Sequence, residues 1–227
     1  VDLSGLSDGQ RSQLAALVRA DVPKMTNFVA KDTYFGGKEL YRATNVYRLA
    51  VQLGLPTEAA TLKNAIVGEL DLWLDPQRCA TLRDKCFTYD ETLKTVVGHG
   101  DSFGSGENAN DHHFHYGYFI AAAATVAKFD PSWAKSSQYG GMIDLLIRDA
   151  NNYDRSDNRF PYLRDFDIYA GHDWASGHGS FAAGNNQESS SEGMNFAGAL
   201  IQWGQATGNT AVRDAGKSDR AIAFGEA

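Results

Sequence analysis

The spacing of apolar residues most limits what this chain can fold into, because it follows a helical period over most of the sequence. Apolar side chains recur three and four positions apart in several segments, and turn-forming Gly and Pro residues separate these segments. Strands do not alternate with helices, which argues against a parallel α/β sheet. We therefore predict a mainly α fold of about seven or eight helices, paired up and down as a ring of helical hairpins.

The individual helices are marked by capping residues and by helix breakers. The first three helices are predicted after Ser7, around Leu40 and from Thr57, and the fourth from about Asp111 to Phe129. A fifth helix is predicted with Pro131 in its first turn, followed by one from about Glu188 to Ala206 and one from Thr210. Between Cys86 and Gly98, short β-branched runs predict at most a small β-hairpin. Two long Gly-containing loops, at 98–110 and 151–186, are of a length that is usually functional in a compact domain.

Charge and hydropathy exclude several classes of partner. The formal charge is −7 and the basic residues are scattered, so a nucleic-acid partner is not expected. No apolar run approaches the roughly 18 residues that span a bilayer, so no membrane partner is expected either. Cys79 and Cys86 are either two free thiols or a bridge, and the sequence leaves both open.

The first polar cluster is DHHFHYGY at positions 111–118. A simple reading makes Asp111 a helix N-cap, a position that Asp fills well. The imidazoles favour a site instead, because Asp111 and His115 lie four residues apart and would share one helical face. Tyr116 lies within the same cluster.

The second polar cluster is NNQESSSE at positions 185–192. Glu188 and Glu192 are also four residues apart, and on a helix their charges would repel, so that one of them holds a proton more tightly. The simple reading is a solvated helix start, where Glu interacts favourably with the helix dipole. Three serines, which form helices poorly, argue against that reading.

The two clusters together suit the hydrolysis of a glycosidic bond. This reaction needs one carboxylic acid to protonate the leaving oxygen and one carboxylate on the opposite side. Aromatic faces can cover sugar rings, while imidazole and amide groups can bind sugar hydroxyls. The long second loop supplies such groups, with Trp174, His172, Asn185 and Asn186 as candidates.

A metal-dependent hydrolase is a rival reading, because Asp111, His112 and His115 offer ligand atoms. The chain lacks the His-Glu-x-x-His pattern, and two adjacent His residues on a helix cannot both face one ion. The metal-dependent hydrolase is therefore the less favoured alternative. A serine hydrolase is disfavoured because no Gly-x-Ser-x-Gly elbow follows a strand.

Three stretches of the sequence resemble glycoside hydrolase family 81, the endo-β-1,3-glucanases. They are NDHHFHYGYF at 110–119, GHDWASG at 171–177 and NNQESSSE at 185–192, and they occur in the family's order. FPYLR at 160–164 and FD at 166–167 are similar to the family's lead-in. The resemblance extends from about Tyr34 to Gly216, and motifs of this length and composition are specific.

The resemblance implies an (α/α)6 toroid and inverting, endo-acting hydrolysis of β-1,3-glucans such as laminarin and curdlan. It implies that Asp111 is the general acid and Glu188 the general base, with Glu192 as a supporting catalytic residue. His115 and Tyr116 are implied on the substrate-binding side. An inverting pair should stand roughly 6.5–9.5 Å apart. A secreted location is implied by the family and its polymeric substrate. The resemblance implies no metal ion and no organic cofactor.

The chain also departs from the family pattern. Asp173 stands where the family commonly has a small polar residue such as Ser. Nothing matches the family's N-terminal β-sandwich domain, so residues 1–227 are expected to be part of a helical catalytic domain, with the toroid incomplete. The remaining part of the catalytic unit would then be a partner. A glucan-binding protein that keeps the cleft without hydrolysis is the alternative function.

Overall fold

The structure is a computed structural model that describes residues 2–180, 182 and 186–223, with the backbone alone for 220–223. Eight helices are found within this described part. They are α1 (Asp8–Met25), α2 (Thr33–Gln52), α3 (Pro56–Leu74), α4 (Pro76–Thr81), α5 (His112–Phe129), α6 (Gly140–Asn151), α7 (Ser190–Thr207) and α8 (Thr210–Ala223). Strands β1 (Cys86–Asp90) and β2 (Thr95–His99) form one antiparallel ribbon, and β3 (Phe166–Asp167) and β4 (His172–Asp173) form another. The predicted mainly α class is confirmed.

Local sequence signals fix several helix starts. Ser7 caps α1, because its side chain accepts from Gln10 N while the Gln10 side chain accepts from Ser7 N. Pro56 occupies the first turn of α3, where its missing N–H leaves no helical hydrogen bond unmade. Gly208 ends α7 in a left-handed conformation with φ of 74°.

The predicted hairpin between Cys86 and Gly98 is confirmed, with Cys86 paired to His99 and Asp90 to Thr95. Cys79 and Cys86 form a disulfide that joins α4 to β1. In the chain-entropy treatment, a bridge that closes so short a loop stabilises the folded state by roughly 2–3 kcal/mol. The open question about these two residues is thereby settled in favour of the bridge.

Helix α5 lies at the centre of the molecule, and every residue of it from His112 to Ala127 is buried. Alanines fill much of its second half and let neighbouring helices approach closely. Gly117 serves the same purpose towards α7, since a Cβ there would lie 3.1 Å from Phe196 Cα. The core is completed by large side chains such as Trp73 and Trp203.

Helices α2, α5 and α7 run parallel, so that all three begin at the same end of the fold. Near their beginnings, Thr33 Oγ1 lies 2.8 Å from His115 Nδ1. Near their ends, Arg48 donates to Thr125 Oγ1 at 2.6 Å and to Gln202 Oε1 at 2.9 Å. Because the two polar clusters of the sequence lie at the beginnings of α5 and α7, they come to the same end of the fold.

One predicted helix start was wrong. Residues 131–139 form turns, and α6 begins only at Gly140. The side chain of Asp130 accepts from the backbone of Ser132 and Trp133, which holds the chain in a turn instead of a helix. Trp133 then stacks on Tyr139 with ring centroids 5.2 Å apart. In the described part of the chain, no helix combines the length and apolar character needed to cross a membrane.

Candidate active site

Asp111 occupies the N-cap position of α5, yet its side chain makes no capping hydrogen bond with any described residue. Its backbone is left-handed, with φ of 60° and ψ of 18°, which costs a non-glycine residue roughly 1 kcal/mol. The residue is only 8% exposed, and Oδ1 finds no hydrogen-bond partner within the described chain. Capping alone therefore does not explain this carboxyl group, and strain with a buried unpaired oxygen is typical of a functional site.

The electrostatic surroundings of Asp111 keep a proton on it. Burial raises its pKa from 3.8 to about 6, and the negative charge of Glu188 acts in the same direction. Asp165 and Glu192 add to the effect, whereas His113 opposes it. A carboxyl group with this pKa is partly protonated in mildly acidic solution, as a general acid requires.

The two glutamates of the second cluster lie at the start of α7. Glu188 is exposed and precedes the helix, while Glu192 lies in its first turn and is half-buried. The prediction that they share one helical face was wrong, because Ser189 takes the N-cap position in an extended conformation and the helix begins at Ser190. Both charges nevertheless act on Asp111.

Glu192 is held by groups from the two neighbouring parallel helices. The Tyr118 hydroxyl donates to Glu192 Oε1 at 2.5 Å, and Lys38 Nζ lies 3.9 Å from the same atom. Lys38 in turn donates to the Tyr34 hydroxyl at 2.8 Å. Because the site draws on α2, α5 and α7, its geometry depends on the packing of these helices.

Residues 173–177, which we call the bridge segment, connect the loop before α5 to the loop before α7. Asp111 N donates to Ala175 O at 2.7 Å, and Ala175 N donates to Asn186 O at 2.8 Å. The two backbone hydrogen bonds of Ala175 thus link the backbone of Asp111 to the segment that contains Glu188. Gly177 lies so close to Ala109 that a Cβ would come within 2.4 Å of Ala109 O.

His113 attaches the bridge segment to α5. Its Nε2 lies 2.8 Å from Asp173 Oδ2, and its Nδ1 lies 3.4 Å from Asp165 Oδ2. Burial alone would lower the pKa of His113, but these two carboxylates raise it to about 9, so the ring is positively charged at neutral pH. Asp173 is therefore the partner of a buried imidazolium.

His112 is the centre of a second buried network. Its Nδ1 donates to Asp149 Oδ2 at 2.5 Å and its Nε2 to Ser105 O at 2.7 Å. Burial would lower the pKa of His112, yet Asp149 raises it overall. Asp149 also accepts from Val96 N at 2.8 Å and from Arg164 Nη1 at 3.1 Å. The sequence did not identify Asp149 and Arg164, although a carboxylate within the apolar stripe of α6 was a usable signal.

The structure corrects two predicted substrate contacts, His115 and Tyr116, because both are 0% exposed. His115 Nδ1 is bonded to Thr33 Oγ1, and burial lowers its pKa to about 3, so it is neutral. The Tyr116 hydroxyl donates to Val96 O at 2.6 Å. Since α5 is covered on all sides, sharing a helical face with Asp111 does not bring these side chains to a cleft.

The same contacts weaken the metal-dependent alternative. His112 and His115, the imidazoles proposed as ligands in that reading, are bonded to different partners, Asp149 and Thr33. The ring of His112 is kept doubly protonated by acceptors on both nitrogens, whereas a metal ligand must be neutral.

Three other predicted contacts lie on the long second loop or beside it. His172 and Trp174 are half-buried, and their rings meet edge to face with centroids 4.7 Å apart. Asn186 is exposed next to the bridge segment. Their contact with substrate stays a prediction. Asn185 lies outside the described residues.

A cavity of about 260 Å³ lies beside the site rather than within it. Its walls include His113, Asp165, Gln187 and the first turn of α7, but neither Asp111 nor Glu188. We therefore do not identify it with the substrate cleft, which must contain both of those carboxyl groups.

Comparison with known proteins gives the family of this chain. The profile described as "Glycosyl hydrolase family 81 C-terminal domain" matches residues 5–224. The chain belongs to glycoside hydrolase family 81. Within this family, a solved structure from Clostridium thermocellum superposes with a TM-score of 0.91 at 42% identity, covering 98% of this chain and 30% of that chain.

Curated family 81 relatives are named as enzymes. A glucan endo-1,3-beta-D-glucosidase of Acetivibrio thermocellus is 47% identical over 199 residues, which make up 88% of this chain and 25% of the relative. One from Thermobifida fusca is 41% identical over 215 residues, or 94% of this chain and 28% of the relative. The chain thus spans between 25% and 30% of the length of these relatives and of the solved structure.

Proposed function

We propose that this chain hydrolyses internal β-1,3 linkages of a glucan, with Asp111 as general acid and Glu188 as general base. The observation that carries the proposal is the buried Asp111 carboxyl group, whose pKa is raised to about 6 by burial and by the charge of Glu188. The names of the relatives support the substrate, since they are glucan endo-1,3-beta-D-glucosidases.

The proposed hydrolysis is a single displacement, in which Asp111 gives its proton to the glycosidic oxygen while water attacks the anomeric carbon. The bond from the anomeric carbon to that oxygen breaks as the proton arrives, and the leaving sugar departs as a neutral alcohol. Burial favours this step, because an ionised carboxylate is poorly solvated at this position and the protonated form is retained until it is needed.

In the same step, Glu188 takes a proton from the water molecule whose oxygen attacks the anomeric carbon from the opposite face. This attack inverts the configuration of that carbon. The exposure of Glu188 suits the role, since a general base must meet a water molecule. Exchange of protons with solvent then restores both carboxyl groups.

Glu192 supports the acid. Its charge raises the pKa of Asp111, while the Tyr118 hydroxyl and Lys38 fix its position. His172, Trp174 and Asn186 are the proposed sugar contacts, on a loop attached to the bridge segment. The chemistry requires neither a metal ion nor an organic cofactor.

The proposed substrate is a polymer of the laminarin or curdlan type, which places the protein outside the cell. Residues 1–227 would form part of a helical catalytic domain. This assignment fits the profile match to a C-terminal domain of the family.

The proposal is tested by proton NMR of laminarin immediately after the protein is added. We expect α-anomeric product first, because inversion of a β-linkage yields that anomer before mutarotation. A β-anomer appearing first would overturn the inverting mechanism. A folded protein that binds laminarin but releases no reducing sugar would replace the proposal by the glucan-binding alternative.

A further inference from the structure

Three aromatic side chains, Tyr34, Phe35 and Phe103, form a cluster at the end of the fold where α2 begins. The centroid of the Tyr34 ring lies 5.1 Å from that of Phe35 and 5.0 Å from that of Phe103. Phe35 is 52% exposed and Phe103 is 57% exposed. Neighbouring exposed rings of this kind form an apolar patch, which on a soluble protein usually marks a binding surface.

The backbone that carries Phe103 is strained. Its φ is 56°, a left-handed conformation that is unusual for a bulky residue. Asn110 Nδ2, from the residue next to Asp111, donates to Phe103 O at 3.2 Å. Strain of this kind persists only where surrounding contacts enforce it, and here it holds an apolar ring in solvent.

One carboxylate positions both phenylalanines. Asp32 Oδ1 accepts from Phe35 N at 2.8 Å as the N-cap of α2, and it also accepts from Ser102 Oγ at 3.2 Å. Ser102 immediately precedes Phe103. The two rings are therefore set relative to each other before any ligand arrives, which lowers the entropic cost of binding.

The cluster is continuous with the proposed catalytic groups. The Tyr34 hydroxyl accepts from Lys38 Nζ at 2.8 Å, and Lys38 Nζ lies 3.9 Å from Glu192 Oε1. The Tyr34 ring also lies 6.4 Å from the ring of Tyr118, which donates to Glu192. Lys38 and Tyr118 thus connect the aromatic cluster to Glu192.

We propose that Phe35 and Phe103 form a platform on which a glucosyl unit of the β-1,3-glucan stacks, at a distance from the bond that is cleaved. The inference rests on the proposed function. A glucopyranose ring fits this surface because its C–H face is apolar and its rim carries hydroxyls. The phenyl rings meet the face, while Lys38 and the Tyr34 hydroxyl meet the rim.

The test measures binding without turnover. Titration calorimetry of the Asp111→Asn protein with a β-1,3-linked glucohexaose gives the reference affinity. Adding Phe35→Ala or Phe103→Ala is expected to weaken it by about tenfold, as the loss of one aromatic contact does. Phe103→Trp should retain the affinity, because it keeps a flat ring, and Leu17→Ala, which removes an exposed apolar side chain on α1, should leave it unchanged.

With Asp111 intact, the same Phe→Ala changes should raise KM for laminarin by about tenfold and leave kcat within about twofold, as loss of uniform binding does. Folded Phe→Ala proteins with unchanged affinity for the hexasaccharide, beside an active parent, would overturn the platform alone. A parent that neither hydrolyses laminarin nor binds the hexasaccharide would overturn the proposed function and the platform with it.

Discussion

The proposed acid and the proposed base are held in opposite ways. Asp111 is buried on a strained turn at the start of the central helix, and its N–H is bonded to the bridge segment. Glu188 is exposed and lies two residues before its helix, in a segment held by backbone bonds at its neighbours Asn186 and Ser189. The Asp111 side chain is thus shielded from water, whereas the Glu188 side chain is exposed to it.

Each environment suits the role that is proposed for its carboxyl group. An acid that must keep a proton gains from burial, because removal of water penalises its charged form. A base that must take a proton from water gains from exposure to it. Two carboxyl groups of similar intrinsic acidity are assigned different roles by their surroundings, and the bridge segment links the two regions.

The largest expected effect of a substitution at these two positions is on turnover. Asp111→Asn should lower kcat on laminarin by about 10³-fold or more, since the amide has no proton to give. The matched control is Asp75→Asn, at the N-cap of α4, where Asn caps as well as Asp does. Initial rates of reducing-sugar release measure both. If the turnover of Asp111→Asn were within tenfold of wild type, Asp111 would not be the general acid.

The next effect concerns stability. Because the pKa of Asp111 is raised from 3.8 to about 6 on folding, the folded state loses stability as the pH rises from 3.8 to 6, and the full loss is present above pH 6. Asp111→Asn should therefore raise the free energy of unfolding by about 3 kcal/mol at pH 7.5, and the gain should vanish near pH 3.5, where both states are protonated. Urea denaturation at the two pH values measures this. Equal gains at both would show that the carboxyl is not desolvated.

Substitution of Glu188 should lower the activity without a large change in the free energy of unfolding. Glu188→Gln is expected to lower kcat by about 10²-fold, because the amide cannot accept the proton of water. Its free energy of unfolding should change by no more than about 0.5 kcal/mol, since the side chain is exposed. Glu91→Gln, exposed on the turn of the β1–β2 hairpin, is the control for both measurements. A large loss of stability in Glu188→Gln would contradict the contrast between the two regions.

The smallest effect tests the link between them. Asp173→Asn should lower kcat by about tenfold, because the bridge segment loses its ion pair with His113. Asp173 raises the pKa of His113, and His113 lowers the pKa of Asp111. When Asp173 is replaced, His113 carries less positive charge, and the pKa of Asp111 therefore rises. The basic limb of the profile of kcat/KM against pH should then move to higher pH.

Asp167→Asn, in the same short ribbon, is the matched control, since Asn can also accept from the backbone of the turn that follows. A stability loss without any movement of the pH profile would reduce Asp173 to a purely structural role.

Much of the fold could be predicted because local chemistry determines it. The Ser7 cap, the hairpin between Cys86 and Gly98 and the start of α8 at Thr210 follow from residues close in sequence. The turn at 131–139 was missed because the Asp130 side chain competes with the helical hydrogen bonds that Pro131 suggested.

The polar clusters could be found from the sequence, but their geometry could not. A helical face tells which residues project together, not whether that face meets solvent, so His115 and Tyr116 were misplaced on the fully buried α5. The link through Ala175 is made by backbone atoms, which leave no side-chain pattern to recognise. The aromatic cluster was missed because Phe35 and Phe103 are far apart in sequence.

The protonation state of the Asp111 carboxyl group is the decisive observation for the proposed pair of acid and base. Titration of its side-chain carbon by ¹³C NMR should give a midpoint near pH 6, in line with its pKa of about 6. The same titration in Glu188→Gln should give a lower midpoint, because the charge that helps to retain the proton is gone. A midpoint close to the ordinary 3.8 of Asp, unmoved by Glu188→Gln, would contradict the pairing of acid and base.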